Sequence, residues 1–262
     1  MSARSYELSI VIPTCNRAEL LRRAIETIHE STRVNYQIVI VDGASDDHTP
    51  SVIDNARKHL GDRVLCIREP VREGFVRGVN KGFRAAQGNA VCWLNDDARP
   101  LPGALDRAYA QLMTSSPSVG LLAMFHAWHS PKNVAYQTSV GSATYSLCHV
   151  RGTLYANFGM GLRTTFERLD YFDDNYVFCA ADPDFSLKCW HAGLRVEPAW
   201  GACVDHDEHA DERRLIDNPH LHNDNARLFS KWILPAKNPC KNDFDPAHPC
   251  ALNGLASNAL AA

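Results

Sequence analysis

The sequence predicts an α/β chain centred on a Rossmann-like, mixed but mostly parallel sheet flanked by helices. Three observations predict it. Short apolar runs alternate with helix-patterned segments over about the first hundred residues, the order that gives parallel strands joined by right-handed helical crossovers. The runs are almost continuously apolar, as strands covered on both faces are. Three of them end in polar clusters, Thr14-Cys15-Asn16-Arg17, Asp42-Gly43-Ala44-Ser45 and Asn95-Asp96-Asp97. Those are carboxyl strand ends, where open sheets of this kind bind ligands.

In chain order, Leu8–Pro13 (LSIVIP) reads as a buried strand, and Ala18–His29 as a helix with Leu21, Ala24, Ile25 and Ile28 on one face. Gln37–Asp42 (QIVIVD) is the second strand. The next helix starts near Thr49, where Asp46, Asp47 and Thr49 offer capping oxygens and Pro50 suits the first turn. A third strand, Val64–Arg68, precedes a helix over Val76–Gln87 that is expected to stop at Gly88. The fourth strand, Ala90–Asn95 (AVCWLN), runs into acidic residues. From Val119 to Leu162 the pattern turns to strands and loops carrying polar aromatics and histidines. A helix over Asp184–Ala192 is ended by Gly193, a last strand over Arg195–Trp200 leads into VDHDEHADERR, and a helical segment carries Leu228, Phe229 and Trp232. We expect residues 1–117 to form the ligand-binding half of one domain, 118–234 its second half, and 235–262, rich in Pro, Asn and Ala, a loose tail.

Composition narrows the function. A chain of 262 residues can bury a sizeable core, and 45% hydrophobic with 22% charged residues is ordinary for a globular protein. A formal net charge of -3 argues against bulk nucleic acid as the main partner. Nine irregularly spaced cysteines without a CxxC pair do not read as a disulfide framework or a zinc site, and fit a reducing cytosol. No run approaches the roughly 18–20 apolar residues of a membrane span, and the start MSARSYE lacks a signal-peptide core. The expectation is a cytoplasmic protein, with a peripheral place on the inner membrane face left open.

Five stretches could carry chemistry. Asn95-Asp96-Asp97 closes an apolar strand, where buried carboxylates are costly without partners. A hard divalent cation bridging to diphosphate oxygens would satisfy them; a solvated turn before Pro100 and Pro102 is the other reading. Asp42 can accept a hydrogen bond from a nucleobase N–H, or its stretch merely turns the chain. REGFVRGVNKGFRAAQG interleaves Gly74, Gly78, Gly82 and Gly88 with Arg72, Arg77, Lys81 and Arg84. It reads as a backbone that approaches a diphosphate, or as a plain amphipathic helix. Asp182-Pro183-Asp184 offers a carboxylate base, ionised at neutral pH if its pKa is the usual ~3.9, or a helix cap. Val204-Asp205-His206-Asp207-Glu208-His209 concentrates possible metal ligands without the HExxH spacing of zinc proteases.

In this order, the runs SIVIPTCNR, IVIVDGASDD, EGFVRGVNKGFRAAQG, WLNDDARPLPGAL and ADPDFSLKCWHAGLRV, followed by His206, resemble the family-2 glycosyltransferases with the GT-A fold. Within them the chain is similar to the bacterial rhamnosyltransferase-like branch. The likeness spans Ser9–His206, and NARLFSKW further on looks like a segment found late in such enzymes. The resemblance implies that Pro13, Thr14 and Arg17 line the nucleotide pocket, that Asp42 holds the base with Ser45 in the same loop, and that Asn80 faces the donor. Asn95-Asp96-Asp97 takes the place of the DxD motif, with Asp97 on the metal and Asp96 near the ribose or metal. Asp182 matches the second residue of the ED motif, the catalytic base, and His206 completes the metal site. The chain departs from the pattern at Ala181, where the family has Glu, which makes Asp184 a fallback base.

The resemblance implies a metal-dependent, inverting glycosyltransferase of glycan or polysaccharide biosynthesis, using Mn2+ or Mg2+. The donor would be a nucleoside-diphosphate sugar, with UDP- or dTDP-sugars favoured, and the acceptor a glycan, a lipid-linked glycan or a small molecule. Two other readings stay open. A sugar nucleotidyltransferase uses a similar core but has a glycine-rich, lysine-containing loop after the first strand, which PTCNR is not. A binding module that kept the pocket and lost catalysis is consistent with Ala181.

Overall fold

The computed structural model describes residues 6–128, 133–150, 152–207 and 219–232. The first four strands, β1 (Leu8–Thr14), β2 (Tyr36–Asp42), β3 (Val64–Arg68) and β4 (Ala90–Trp93), are joined by helices α1 (Ala18–Ser31), α2 (Thr49–Leu60) and α3 (Phe75–Ala85). All pair parallel, in the spatial order β3-β2-β1-β4. Next come β5 (Ala98–Pro100), α4 (Ala104–Thr114), β6 (Val119–Ala127), β7 (Val134–Val140), β8 (Ala143–Val150), β9 (Thr153–Leu154) and β10 (Gly159–Leu162). The last elements are α5 (Arg163–Arg168), α6 (Ala181–His191), β11 (Arg195–His206) and a helix numbered here α7 (His220–Lys231). The sheet continues from β4 through β10, β6 and β11 to β5 at the edge. β10 runs antiparallel to β4 and β6, whereas β11 is parallel to β6. The sheet is therefore mixed, and no topological break separates its two halves.

Both faces of the parallel strands are covered. Along β1, Ile10 and Ile12 join one cluster with Leu21, Ile25 and Ile28 of α1, while Val11 joins the opposite cluster with Val79 and Phe83 of α3. This alternation lies behind the unbroken apolar runs: each side chain in the strand has a layer to enter. The α3 side holds an aromatic nest in which the Phe83 and Phe166 rings lie 4.7 Å apart and Trp93 meets Phe172 edge-on at 5.2 Å.

The glycine-rich run forms the amphipathic helix α3, with Gly74 and Gly78 at a cavity on the carboxyl edge of the sheet and its other glycines used in packing. Gly82 faces β1, and a Cβ there would overlap the Val11 side chain, so α3 can lie close to the sheet. Gly88 does not stop α3, which is capped at Ala86. A Cβ on Gly88 would stand 2.5 Å from the Ser9 backbone nitrogen, so this glycine lets the chain pass beside β1. Two other boundaries also move. β11 runs on from Trp200 to His206, and α6 starts at Ala181 rather than Asp184. No helix among the described residues is long and apolar enough to cross a membrane.

Candidate active site

At the carboxyl ends of β1, β2 and β4 the structure opens a cavity of about 760 Å³. Its lining brings together Pro13, Thr14, Arg17, Asn95, Asp96, Asp97, Asp182 and His206, residues spread over most of the chain. The sheet explains how the acidic pair meets the histidine. β5 turns back along β11 with His206 opposite Ala98, next to Asp97. The Asp207 N–H donates to the Asp97 carbonyl at 3.1 Å, and Arg99 grips the Asp207 carboxylate with two bonds of 2.5 and 2.7 Å. That ion pair holds Asp207 below the usual carboxylate range and fixes the end of β11.

Asp96 and Asp97 are both 3% exposed, and two adjacent buried carboxylates need compensation. Arg17 provides it. Its Nη1 lies 2.9 Å from Asp96 Oδ1 and 3.2 Å from Asp97 Oδ2, and the Thr14 hydroxyl donates to Asp96 Oδ2 at 2.8 Å. Asp97 Oδ1 faces His206 Nε2 at 3.3 Å, and the Asn95 side-chain nitrogen stands 3.3 Å from the same ring atom. Ligands about 2.1 Å from an octahedral cation lie roughly 3 Å from their neighbours. The Asp97–His206 pair therefore has a spacing that one cation can bridge. No group of three such ligands occurs among the described residues, so the pair suits a cation that takes its remaining ligands from substrate phosphates and water, as Mg2+ sites do. His209 lies outside the described residues.

Asp182 stands in the first turn of α6 and lines the same cavity. Burial pushes its carboxyl up to about 7, against a smaller opposing effect of its own backbone N–H. Tyr155 and Cys179 line the same cavity, both held well above their ordinary pKa chiefly by burial and to a lesser extent by the Asp182 charge. Asp184 is not available as the fallback base. It is fully buried and accepts bonds from the Tyr176 hydroxyl at 3.1 Å and Trp232 Nε1 at 2.9 Å, with Lys231 Nζ 2.9 Å away. Ala181 also lines the cavity.

Three sequence-derived residues fall outside the lining. Asp42 is buried with its carboxylate 3.0 Å from Arg68 Nη1 and accepting the Ser45 N–H at 3.1 Å, while its neighbours Val41 and Gly43 do line the cavity. Ser45 accepts the Asn16 N–H at 2.9 Å, tying together the loops after β1 and β2. Asn80 is buried in α3 and does not face the cavity. Its amide nitrogen donates to the Phe172 carbonyl (2.8 Å) and Asp174 (2.6 Å), and its oxygen accepts the Phe172 N–H at 3.0 Å.

Sequence reasoning missed Glu69, which follows β3 and lines the cavity. Lys81 Nζ lies 2.6 Å from its Oε1, and its Oε2 accepts the Glu73 N–H at 3.0 Å. The rule that marked the other strand ends would have found it, since Arg68-Glu69 is the polar cluster closing β3. His149, Tyr155 and Asn157 from the second half also line the cavity, where no motif announced them. Behind them His126 is buried 3.4 Å from the Asn157 amide; burial, and secondly His206, push its pKa down to about 3.

Residues 9–132 match the family model described as Glycosyl transferase family 2. Among curated relatives, a GalNAc(5)-diNAcBac-PP-undecaprenol beta-1,3-glucosyltransferase of Campylobacter jejuni is 35% identical over 100 residues, 38% of this chain and 32% of the relative. A PGL/p-HBAD biosynthesis glycosyltransferase of Mycobacterium tuberculosis is 28% identical over 128 residues, 49% of this chain and 44% of the relative. The chain thus aligns with less than half the length of each. Among solved structures, a mannosyltransferase of Pyrobaculum calidifontis in complex with GDP-Man and Mn2+ superimposes with a TM-score of 0.66 at 20% identity, covering 99% of this chain and 75% of the other. S. aureus TarS 1-349 in complex with UDP-GlcNAc gives 0.67 at 14% identity, covering 97% and 71%. The fold is GT-A.

Proposed function

From a chain that carries a glycosyl transferase family 2 segment over residues 9–132, we infer an enzyme that moves a sugar from a nucleoside-diphosphate sugar to an acceptor hydroxyl, inverting the anomeric centre. One observation carries the reading. Asp96, Asp97, His206 and Asp182, drawn from three separate elements, line a single cavity at the carboxyl edge of the sheet. Such convergence has no use in packing, because each buried carboxylate costs free energy.

Asp97 and His206 would hold a divalent cation, Mn2+ or Mg2+, that stabilises negative charge on the leaving nucleoside diphosphate. Arg17 pairs with both Asp96 and Asp97 and so offsets the cost of burying two adjacent carboxylates beside the cation site. Arg72, in the same lining, adds a cation for the phosphates. Val41 and Gly43 leave a place for the base beside the end of β2. Asp182 takes the acceptor hydroxyl's proton while that oxygen attacks the anomeric carbon. A carboxyl that titrates at about 7 is a stronger base than an ordinary Asp and remains largely ionised slightly above neutrality. A single displacement reverses the configuration.

The test is a thermal-shift and nucleotide-release screen of UDP-GlcNAc, UDP-glucose, dTDP-rhamnose and GDP-mannose, with and without Mn2+. At least one donor should raise the melting temperature only with the cation, since ligand binding stabilises the folded state, and should release its nucleoside diphosphate. A folded protein that neither binds nor cleaves any nucleotide sugar with either cation would overturn the reading. Ala181 favours a second one, a donor-binding protein without transfer; metal-dependent binding with no release across an acceptor panel would establish it.

A further inference from the structure

The turn that carries Asp182 is held from outside by α7. The backbone amides of Val177, Phe178 and Cys179, just before that turn, need acceptors once they leave water. One side chain serves all three. Asp224 Oδ2 accepts the N–H of Val177 at 3.2 Å, of Phe178 at 2.8 Å and of Cys179 at 3.0 Å, and Oδ1 takes a further Val177 contact at 3.3 Å. Ala180 follows with φ of 66°, a left-handed conformation that an L side chain keeps only when its surroundings impose it. Its carbonyl accepts the Asp184 N–H at 3.0 Å, which starts α6 with Asp182 in the first turn.

Downstream, Asp184 is tied to the end of α7 through Trp232 Nε1 and Lys231 Nζ. The helix is therefore attached on both sides of Asp182, by Asp224 before it and by Asp184 after it. Phe178 and Cys179, on the clamped loop, line the cavity together with Asn225 and Leu228 of α7. An aspartate suits the clamp because several converging N–H dipoles favour an anion. An asparagine has one acceptor oxygen and turns an NH2 toward donors.

We propose that Asp224 is a positioning residue for Asp182: its grip on Val177–Cys179, matched by the Asp184–Trp232 bond, fixes the left-handed turn that aims the Asp182 carboxylate into the cavity. The inference rests on the assignment of Asp182 as the base. Asp224 is not among the residues that line the cavity, and its carboxylate is taken up by the loop amides, so it would act through the loop.

The test combines Asp224→Asn, Asp182→Asn and the double variant in the full chain, with two readouts. The first needs no ligand. Urea unfolding between pH 5 and 8 gives the pH-dependent stability difference between chains with Asp182 and with Asn at that position. In the Asp224→Asn background this difference should shrink to less than about half, because a released turn lets the carboxylate reach water. The second is nucleoside-diphosphate release from UDP-GlcNAc or GDP-mannose with Mn2+, whichever is cleaved. Asp224→Asn should lower kcat about 10²-fold, the usual penalty of roughly 1 Å misplacement, with donor KM within about twofold. An unchanged pH-dependent difference together with unchanged kcat overturns the proposal while leaving Asp182 as the base. If Asp182→Asn itself turns over like the wild type, both assignments fall. Should Asp224→Asn not fold, Trp232→Phe, which keeps a ring and removes the donor to Asp184, carries the same two readouts.

Discussion

Replacing Asp182 by Asn should make the protein more stable and nearly inactive. Burial raises this carboxyl from its ordinary 3.8 to about 7. At about 1.4 kcal/mol per pH unit, that gap is worth about 4 kcal/mol between the two protonation states. The side chain is partly open to the cavity, so about 2–4 kcal/mol is the range after solvent screening. The unfolded chain releases the proton near 3.8, whereas the folded chain keeps it until about 7. The stability contributed by the protonated form is therefore fully present below pH 3.8 and lost as pH rises through 7. Asparagine never ionises. Asp182→Asn should exceed the wild type by about 2–4 kcal/mol at pH 8, with the gap closing steadily toward pH 4. Urea unfolding of the ligand-free proteins at several pH values measures it, and an unchanged m-value confirms that the folded state is preserved. At pH 8 the same variant should lose about 10²–10⁴-fold in turnover while keeping donor affinity. Parallel stability curves from pH 5 to 9 would refute the reasoning, because they would mean a carboxylate already solvated and no stronger a base than any surface Asp.

The other predictions concern the cation side and the packing around it. Asp97→Ala should abolish Mn2+-dependent donor binding by calorimetry, since it removes one of the two donors that stand 3.3 Å apart. Arg17→Met should cost about 3–5 kcal/mol in urea unfolding, because it leaves Asp96 and Asp97 buried without their cation, and added Mn2+ should restore part of the melting temperature. Asn80→Ala should destabilise the fold by about 2–3 kcal/mol through the orphaned Phe172 backbone, yet leave donor affinity within about twofold; a large loss of donor binding would return Asn80 to the pocket.

How far the sequence could be read depended on where side chains answer to backbone rules. The four parallel strands were legible because Ile10, Val11 and Ile12 enter two different apolar layers, and only a doubly covered strand needs that. The Asn95-Asp96-Asp97 cluster stood out because it follows an apolar strand. His206 came only through the family resemblance, since the last strand was read to end at Trp200 and β11 in fact runs on to His206. Asn80 was not legible: a buried amide in a glycine-rich helix looks the same whether it faces a ligand or, as here, the backbone of a loop at Phe172. Asp184 was misread for a related reason. Its partners, Tyr176, Lys231 and Trp232, include two that lie more than 40 residues further on, and no local pattern signals them. Glu69 was missed although the strand-end rule covered it. The lining from β8 to β10 was illegible because short antiparallel strands and loops place His149, Tyr155 and Asn157 by tertiary contacts alone.

The two sides of the cavity are built to different standards of rigidity, and this bears on which side discriminates substrates. Thr14 and His206 end strands that are paired on both sides. Asn95 and Asp97 occupy the short turn from β4 to the edge strand β5, where Arg17 and His206 hold Asp97, so this side is pinned by sheet pairing and ion pairs. Asp182 hangs from a left-handed turn held by side-chain bonds from a single peripheral helix. A diphosphate, common to all nucleoside-diphosphate sugars, and the cation that would bind it gain most from preorganised donors and acceptors. An acceptor hydroxyl must be met by a base whose aim suits one particular partner. Substitutions in α7 and in the Val177–Cys179 loop should therefore alter acceptor choice and kcat with little effect on donor affinity, and substitutions at the strand ends should do the reverse.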